Sequence, residues 1–116
     1  MKKYLALVVL FSITMIAIPA HANYICGGVL TQVGIINNGN IWVAGPGGLP
    51  SGVFICQLGA TSSNGFTPDS CKAAYATLLS AWLTGIQVSI YFNDSLTCAT
   101  QPVWVGNTGL YAVQPS

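Results

Sequence analysis

The chain has very few charged residues. Its 116 residues include no arginine and no glutamate, and charged side chains make up only 4% of the total. The single histidine, His21, lies near the N-terminus. From residue 23 onward the charged side chains are Asp69, Lys72 and Asp94. Nucleic-acid binding depends on basic side chains that neutralise phosphates, so this composition excludes a nucleic-acid partner.

From residue 23 onward there is no histidine, which also argues against catalysis. A hydrolytic nucleophile needs a base within hydrogen-bond reach, and Lys72 is expected to point into solvent from a helix. Asp69 suits the first turn of that helix and Asp94 suits a turn, so neither carboxylate requires a catalytic role. There is no Cys-x-x-Cys pair to bind a metal. We therefore predict no enzymatic activity, no metal and no cofactor.

The N-terminal segment has the pattern of a secretory signal peptide. It begins with Lys2 and Lys3, continues with an apolar stretch over residues 4–18, and ends in Pro-Ala-His-Ala at Ala22. The apolar stretch is shorter than the about 20 residues that a membrane-spanning helix needs. We predict cleavage of residues 1–22, a secreted or periplasmic protein, and no membrane span after cleavage.

Four cysteines follow the predicted cleavage site: Cys26, Cys56, Cys71 and Cys98. An even number of cysteines in an oxidising compartment indicates disulfide bonds. We expect Cys56–Cys71, because Cys56 ends a predicted strand and Cys71 begins the predicted helix, and hence Cys26–Cys98. The spacing is also compatible with the two other pairings.

Predicted strands alternate with turn signals along residues 23–116, which we take as a single domain. The first, over 24–36, contains glycines at which it should bend, and Asn38-Gly39 predicts a hairpin to the second. Further strands are expected at 52–58, 86–92 and 102–113, the last being either one strand or two short ones interrupted at 106–109.

One helix is predicted over Pro68–Thr84. Thr67 is a candidate N-cap, Pro68 suits the first helical position, and Gly85 is a natural stop. Trp82 falls on the side of the apolar residues, so we expect it in the core. The order β-β-β-α-β-β is that of an OB-fold, a five-stranded barrel, and the alternative is an open α+β sheet with the helix on one face.

Residues 71–98 carry a resemblance to known proteins. An Ala- and Leu-rich helix ends at Thr84-Gly85 and is followed by the strand 86–90 and by Cys98. This pattern resembles small exported bacterial proteins that are similar to the B subunit of subtilase cytotoxin and related toxin B subunits. Those are OB-folds that form pentameric rings and bind host glycans. The resemblance implies a homo-oligomer, such as a ring, and a separate enzymatic subunit.

The function expected from the sequence is that of an exported, non-catalytic binding module for a neutral glycan or a host receptor. Trp42 and Trp104 are the candidate ligand-binding residues, because an exposed indole beside Asn or Gln suits a neutral sugar. Burial of both in the core is the structural alternative. The alternative functions are a structural or self-associating exported protein and a small inhibitor-like binder.

Overall fold

The computed structural model describes residues 23–116, and the predicted signal peptide lies outside them. These residues form a mainly β structure with one helix. The elements in chain order are β1 (Tyr24–Val29), β2 (Gln32–Ile35), β3 (Asn40–Ala44), β4 (Val53–Gln57), α1 (Pro68–Thr84), β5 (Gln87–Phe92) and β6 (Leu110–Pro115).

The six strands form two antiparallel three-stranded sheets, in the orders β1-β5-β6 and β2-β3-β4. The prediction of a closed five-stranded barrel is therefore wrong, because within residues 23–116 the edge strands β4 and β6 do not pair. Loop side chains bond to the backbone of β4 instead. Asn64 Nδ2 donates to Ile55 O at 2.6 Å, and Gln57 N donates to Ser62 Oγ at 2.7 Å. We call the opening between β4 and β6 the seam.

The predicted long first strand is split in two, so that its halves belong to different sheets. The break lies at the buried Leu30 and at Thr31, whose N–H donates to Ala44 O at 2.9 Å. It follows Gly28, where φ is 149°. The alternative of a single open sheet with the helix on one face is also not found, because the strands form two sheets and α1 contacts strands of both.

The hairpin predicted at Asn38-Gly39 is present and joins β2 to β3. An Asn-Gly turn of two residues would have both of them left-handed, and this turn does not. Within residues 23–116, Trp104 is the one non-glycine residue with a positive φ, so Asn37 and Asn38 are not left-handed. Gly39 is left-handed, with φ 88°. Gly39 N donates to Ile36 O at 2.9 Å, and Ile36 N donates to Asn40 O at 3.0 Å. Only the last loop residue is thus left-handed, as in a three-residue hairpin loop with a glycine bulge.

Helix α1 has the predicted bounds. Thr67 Oγ1 accepts a hydrogen bond from Ser70 N at 3.2 Å, and Gly85 is left-handed, with φ 71°. The buried face consists of Cys71, Ala74, Leu78 and Ala81. The prediction that Trp82 is a core residue is wrong, because 42% of it is exposed. At about 100° per residue, Trp82 lies at the border of the buried stripe, about 60° from its centre, and so is only partly covered.

The hydrophobic core lies between the two sheets and α1, and two disulfide bonds fasten its borders. Cys26–Cys98 joins β1 to the segment after β5, and Cys56–Cys71 joins β4 to α1. These are the pairs expected from the sequence. The largest fully buried side chains include Phe92, Ile41, Ile55, Leu78, Ile90 and Leu110.

Two substitutions on α1 should differ in their cost to stability. Leu78 is fully buried, so Leu78→Ala should lower the free energy of unfolding by about 2–5 kcal/mol. Trp82→Ala should lower it by about 1 kcal/mol, because much of the indole is already in water. Urea denaturation of the oxidised proteins measures both. An equal loss for the two variants would contradict the placement of Trp82.

Candidate functional site

The outward face of the β2-β3-β4 sheet carries two aromatic side chains in register. On β3, Ile41 and Val43 are fully buried in the core, whereas the Trp42 side chain between them is half-buried on the opposite face. Trp42 pairs with Gly34 of β2 on one side and with Phe54 of β4 on the other. A register shift in the β3–β4 pairing sets Phe54 opposite Trp42.

Trp104 completes this aromatic group from outside the sheet. Its ring centroid lies 5.2 Å from that of Trp42 and 6.1 Å from that of Phe54, both in edge-to-face geometry. The predicted strand over 102–113 starts only at Leu110, so Trp104 lies in a loop and not on a strand. The structure thus brings the two sequence-predicted ligand residues together. We call Trp42, Phe54 and Trp104 the aromatic platform.

Glycines fix both indoles of the platform. A Cβ atom at Gly34 would overlap the Trp42 indole, and one at Gly52 would overlap the Trp104 indole. Trp104 N also donates a hydrogen bond to Gly52 O at 2.8 Å. Each tryptophan therefore packs against bare backbone, which leaves its ring little freedom to move.

The backbone of Trp104 is in a conformation that large side chains rarely adopt. Its φ is 59°, and 50% of the residue is exposed. A non-glycine residue in the left-handed region costs energy, and such residues occur preferentially at functional sites. The surrounding contacts hold a large apolar side chain in water, although this placement has no evident benefit for the core.

A cleft lined by neutral polar groups lies beside the aromatic platform. Its volume is about 270 Å³, and Phe54 forms part of its wall. Among the described residues, none with a charged side chain lines it. The polar lining residues are Asn40, Gln57, Thr61, Ser62, Ser63, Asn64 and Asn107. We call this the amide cleft.

A buried polar network supports the loop that carries Trp104. Gln101 and Asn107 are 4% and 5% exposed, and Asn107 Nδ2 donates to Gln101 Oε1 at 2.8 Å. Gln101 Nε2 donates to the Tyr24 hydroxyl and to Asp94 Oδ2, the latter at 3.2 Å. The Tyr24 hydroxyl in turn donates to Asp94 Oδ1. Gln101 and Asn107 lie on either side of Trp104 in this loop, so the network fixes the path of the loop.

The pKa of the Tyr24 phenol is raised within this network. Burial raises the pKa of Tyr24, and the hydrogen bond to Asp94 and the negative charge of that carboxylate raise it further. Its ring stacks on Phe92, with centroids 5.4 Å apart. The folded protein therefore holds the phenolic proton to a higher pH than the unfolded chain does.

The charged residues considered from the sequence lie on two separate parts of the molecule. Lys72 Nζ lies 4.0 Å from Asp69 Oδ1, and both side chains are largely in solvent. Asp94 belongs to the buried network. In residues 23–116 we find no cluster of histidine, cysteine or carboxylate side chains that could hold a metal ion. The described helix is too short and too polar to cross a membrane.

Sequence reasoning missed Phe54, Gln101 and Asn107. Phe54 lies in the uninterrupted apolar run of β4, so alternation does not reveal its outward face, and the register shift hides it further. Gln101 and Asn107 lie in an irregular loop, where spacing predicts neither burial nor partners.

The raised pKa of Tyr24 predicts a loss of stability in alkali. The unfolded pKa is about 10, so the stabilisation is complete below that pH and declines above it. The free energy of unfolding should fall by at most about 1.4 kcal/mol per pH unit from this group. Tyr24→Phe should be less stable than wild type at pH 7 but show a shallower alkaline fall. Urea denaturation between pH 7 and 11 tests this, and an equally steep fall in the variant would contradict it.

Comparison with known proteins identifies no relative. No family model matches the chain, and neither a curated protein nor a solved structure matches it. The resemblance of residues 71–98 to toxin B subunits therefore rests on that sequence pattern alone.

Proposed function

We propose that the mature protein is an exported, non-catalytic binding module for a neutral carbohydrate, with the aromatic platform and the amide cleft as its site. The observation that carries this proposal is Trp104, a half-exposed indole on a left-handed backbone that packs over Gly52 and against Trp42. A ligand that covers this ring would supply the burial that the fold leaves incomplete.

The chemistry of the site matches a neutral sugar. Binding sites combine apolar and aromatic walls with a few polar groups that orient the ligand. The exposed indole offers an apolar surface for the C–H face of a sugar ring. The amides and hydroxyls of the cleft can donate to and accept from sugar hydroxyls. An acidic sugar would lack a cationic partner, because Lys72, the one cation of residues 23–116, lies on α1 beside Asp69.

The rigidity of the site favours binding. Ordering a flexible side chain on binding costs about 0.5–1.5 kcal/mol. Trp42 and Trp104 are already held by Gly34, Gly52 and each other. Much of this ordering cost is therefore met when the chain folds, and not when the ligand binds.

The fold gives separate support to a binding role. If β1 and β2 are counted as one bent strand, the order is that of an OB-fold, and we propose an OB-like barrel opened at the seam. OB-folds bind ligands on the face of their second and third strands and the adjoining loops. These strands correspond to β3 and β4, which carry Trp42 and Phe54. Relationship to toxin B subunits, assembly into a homo-oligomer and an enzymatic companion stay predictions.

The two disulfide bonds fit an oxidising compartment, as expected for a secreted or periplasmic protein. The binding proposal is compatible with either one.

A glycan array probed with the oxidised protein tests the proposal. We expect binding to neutral glycans, and Trp104→Ala should weaken it at least about tenfold, equivalent to about 1.4 kcal/mol. Trp82→Ala is the matched control, because Trp82 is exposed to a similar extent but lies on α1. Near-ultraviolet circular dichroism verifies folding. A blank array, or an equal loss in both variants, would contradict the proposal.

A further inference from the structure

Building on the proposed carbohydrate-binding function, we infer that the ligand is a linear neutral oligosaccharide of at least three sugar units that crosses the seam from the aromatic platform to Tyr111. The amide cleft lies between these two ends. The inference rests on a second cleft, on the residue that the two clefts share, and on the exposed aromatic ring at the far end.

The second cleft has a volume of about 210 Å³ and is lined by Asn64, Gly65, Phe66, Ser70 and Tyr111. We call it the Tyr111 cleft. Like the amide cleft, it is lined by amide, hydroxyl and aromatic groups. Tyr111 is 42% exposed, so its ring offers an apolar surface as Trp104 does on the other side.

Asn64 connects the two clefts, because it lines both of them. Its side chain is anchored on both sides. Nδ2 donates to Ile55 O at 2.6 Å, and Oδ1 accepts from Phe66 N at 3.3 Å. The clefts are therefore neighbouring parts of one surface with a fixed partition between them.

The failure of the barrel to close creates this surface. Phe54 and Gln57 lie on β4, whereas Tyr111 lies on β6, so the amide cleft and the Tyr111 cleft occupy opposite borders of the seam. A hydrogen-bonded β4–β6 pair would remove the space between them. The loop that contains Asn64 bonds to the backbone of β4 and keeps it from pairing there.

The size of the clefts favours an extended ligand. Small-molecule sites usually have volumes of about 300–1,000 Å³. The amide cleft, at about 270 Å³, and the Tyr111 cleft, at about 210 Å³, each lie below this range, and together they lie within it. The ring of Tyr91 packs beside that of Tyr111, with centroids 5.9 Å apart, and so helps to hold the Tyr111 ring in place for a sugar to stack on it.

The test compares affinities for oligosaccharides of increasing length by isothermal titration calorimetry. The probes are the neutral β-1,4-linked oligomers of glucose and of N-acetylglucosamine, from two to six units. We expect the affinity of the wild-type protein to rise at least about tenfold from the dimer to the hexamer. Tyr111→Ala should abolish this gain, because it removes the aromatic ring at the far end of the surface. Tyr111→Phe should retain the gain, and Trp104→Ala should weaken binding at every length.

Wild-type affinity that is equal for dimer and hexamer overturns the extended surface, and this result needs no variant. Equal weakening at all lengths by Tyr111→Ala overturns it as well. In both cases, dimer binding that depends on Trp104 would leave the proposed function intact. If neither series binds at millimolar concentration, this inference fails, and the broader glycan array decides the proposed function separately.

Discussion

The partly buried carboxylate of Asp94 organises the loop on which the candidate site depends. It accepts hydrogen bonds from the Tyr24 hydroxyl, from Gln101 Nε2 and from Leu96 N, and thus joins the first strand to the segment after β5. A carboxylate in such surroundings is stabilised by several donors at once. These bonds hold Gln101 next to Tyr24 of β1, and Asn107 is bonded to Gln101 in turn. Trp104 lies at the centre of the segment 101–107.

The rest of the loop is held by hydrogen bonds to a neutral amide side chain, that of Asn107. Asn107 Oδ1 accepts from Gly109 N and Leu110 N, at 3.0 and 3.2 Å, and so sets where β6 begins. Because β6 begins only there, residues 102–109 remain free of strand pairing and the seam stays open. The opening exposes the amide cleft, and the loop sets Trp104 against Trp42. The same polar network thus contributes both to the open seam and to the position of Trp104.

Much of the fold could be predicted from the sequence because its signals are local. The bounds of α1 follow from Thr67, Pro68 and Gly85. The Cys56–Cys71 pair is favoured because its cysteines border a strand and the next helix, although the spacing also allows other pairings. The closed barrel could not be excluded, because whether β4 pairs with β6 depends on how loop side chains pack, as in the bond of Asn64 to Ile55 O. The sequence predicts Trp82 in the core because it lies at the border of the buried stripe, where apolar spacing does not separate core from surface.

The candidate site could be predicted only in part, because the contacts that form it join residues far apart in sequence. Trp42 and Trp104 were identified by residue type, yet their contact joins positions far apart in sequence, and the left-handed backbone of Trp104 has no local signal. Phe54 and the amide-bearing residues enter the site through strand register and loop packing. Composition limits the chemistry that such a site can offer, because a chain with so few charges presents mainly aromatic faces, amides and hydroxyls.

A nuclear magnetic resonance titration of the three indole N–H signals tests the central claim most directly, namely that the aromatic platform is the ligand-binding surface. Trp42, Trp82 and Trp104 are the tryptophans of the chain, so each signal can be assigned with one substitution. On addition of a neutral oligosaccharide that binds, the account predicts that the Trp42 and Trp104 signals shift while that of Trp82 does not. A shift confined to Trp82, or saturable binding that moves neither platform signal, would contradict it.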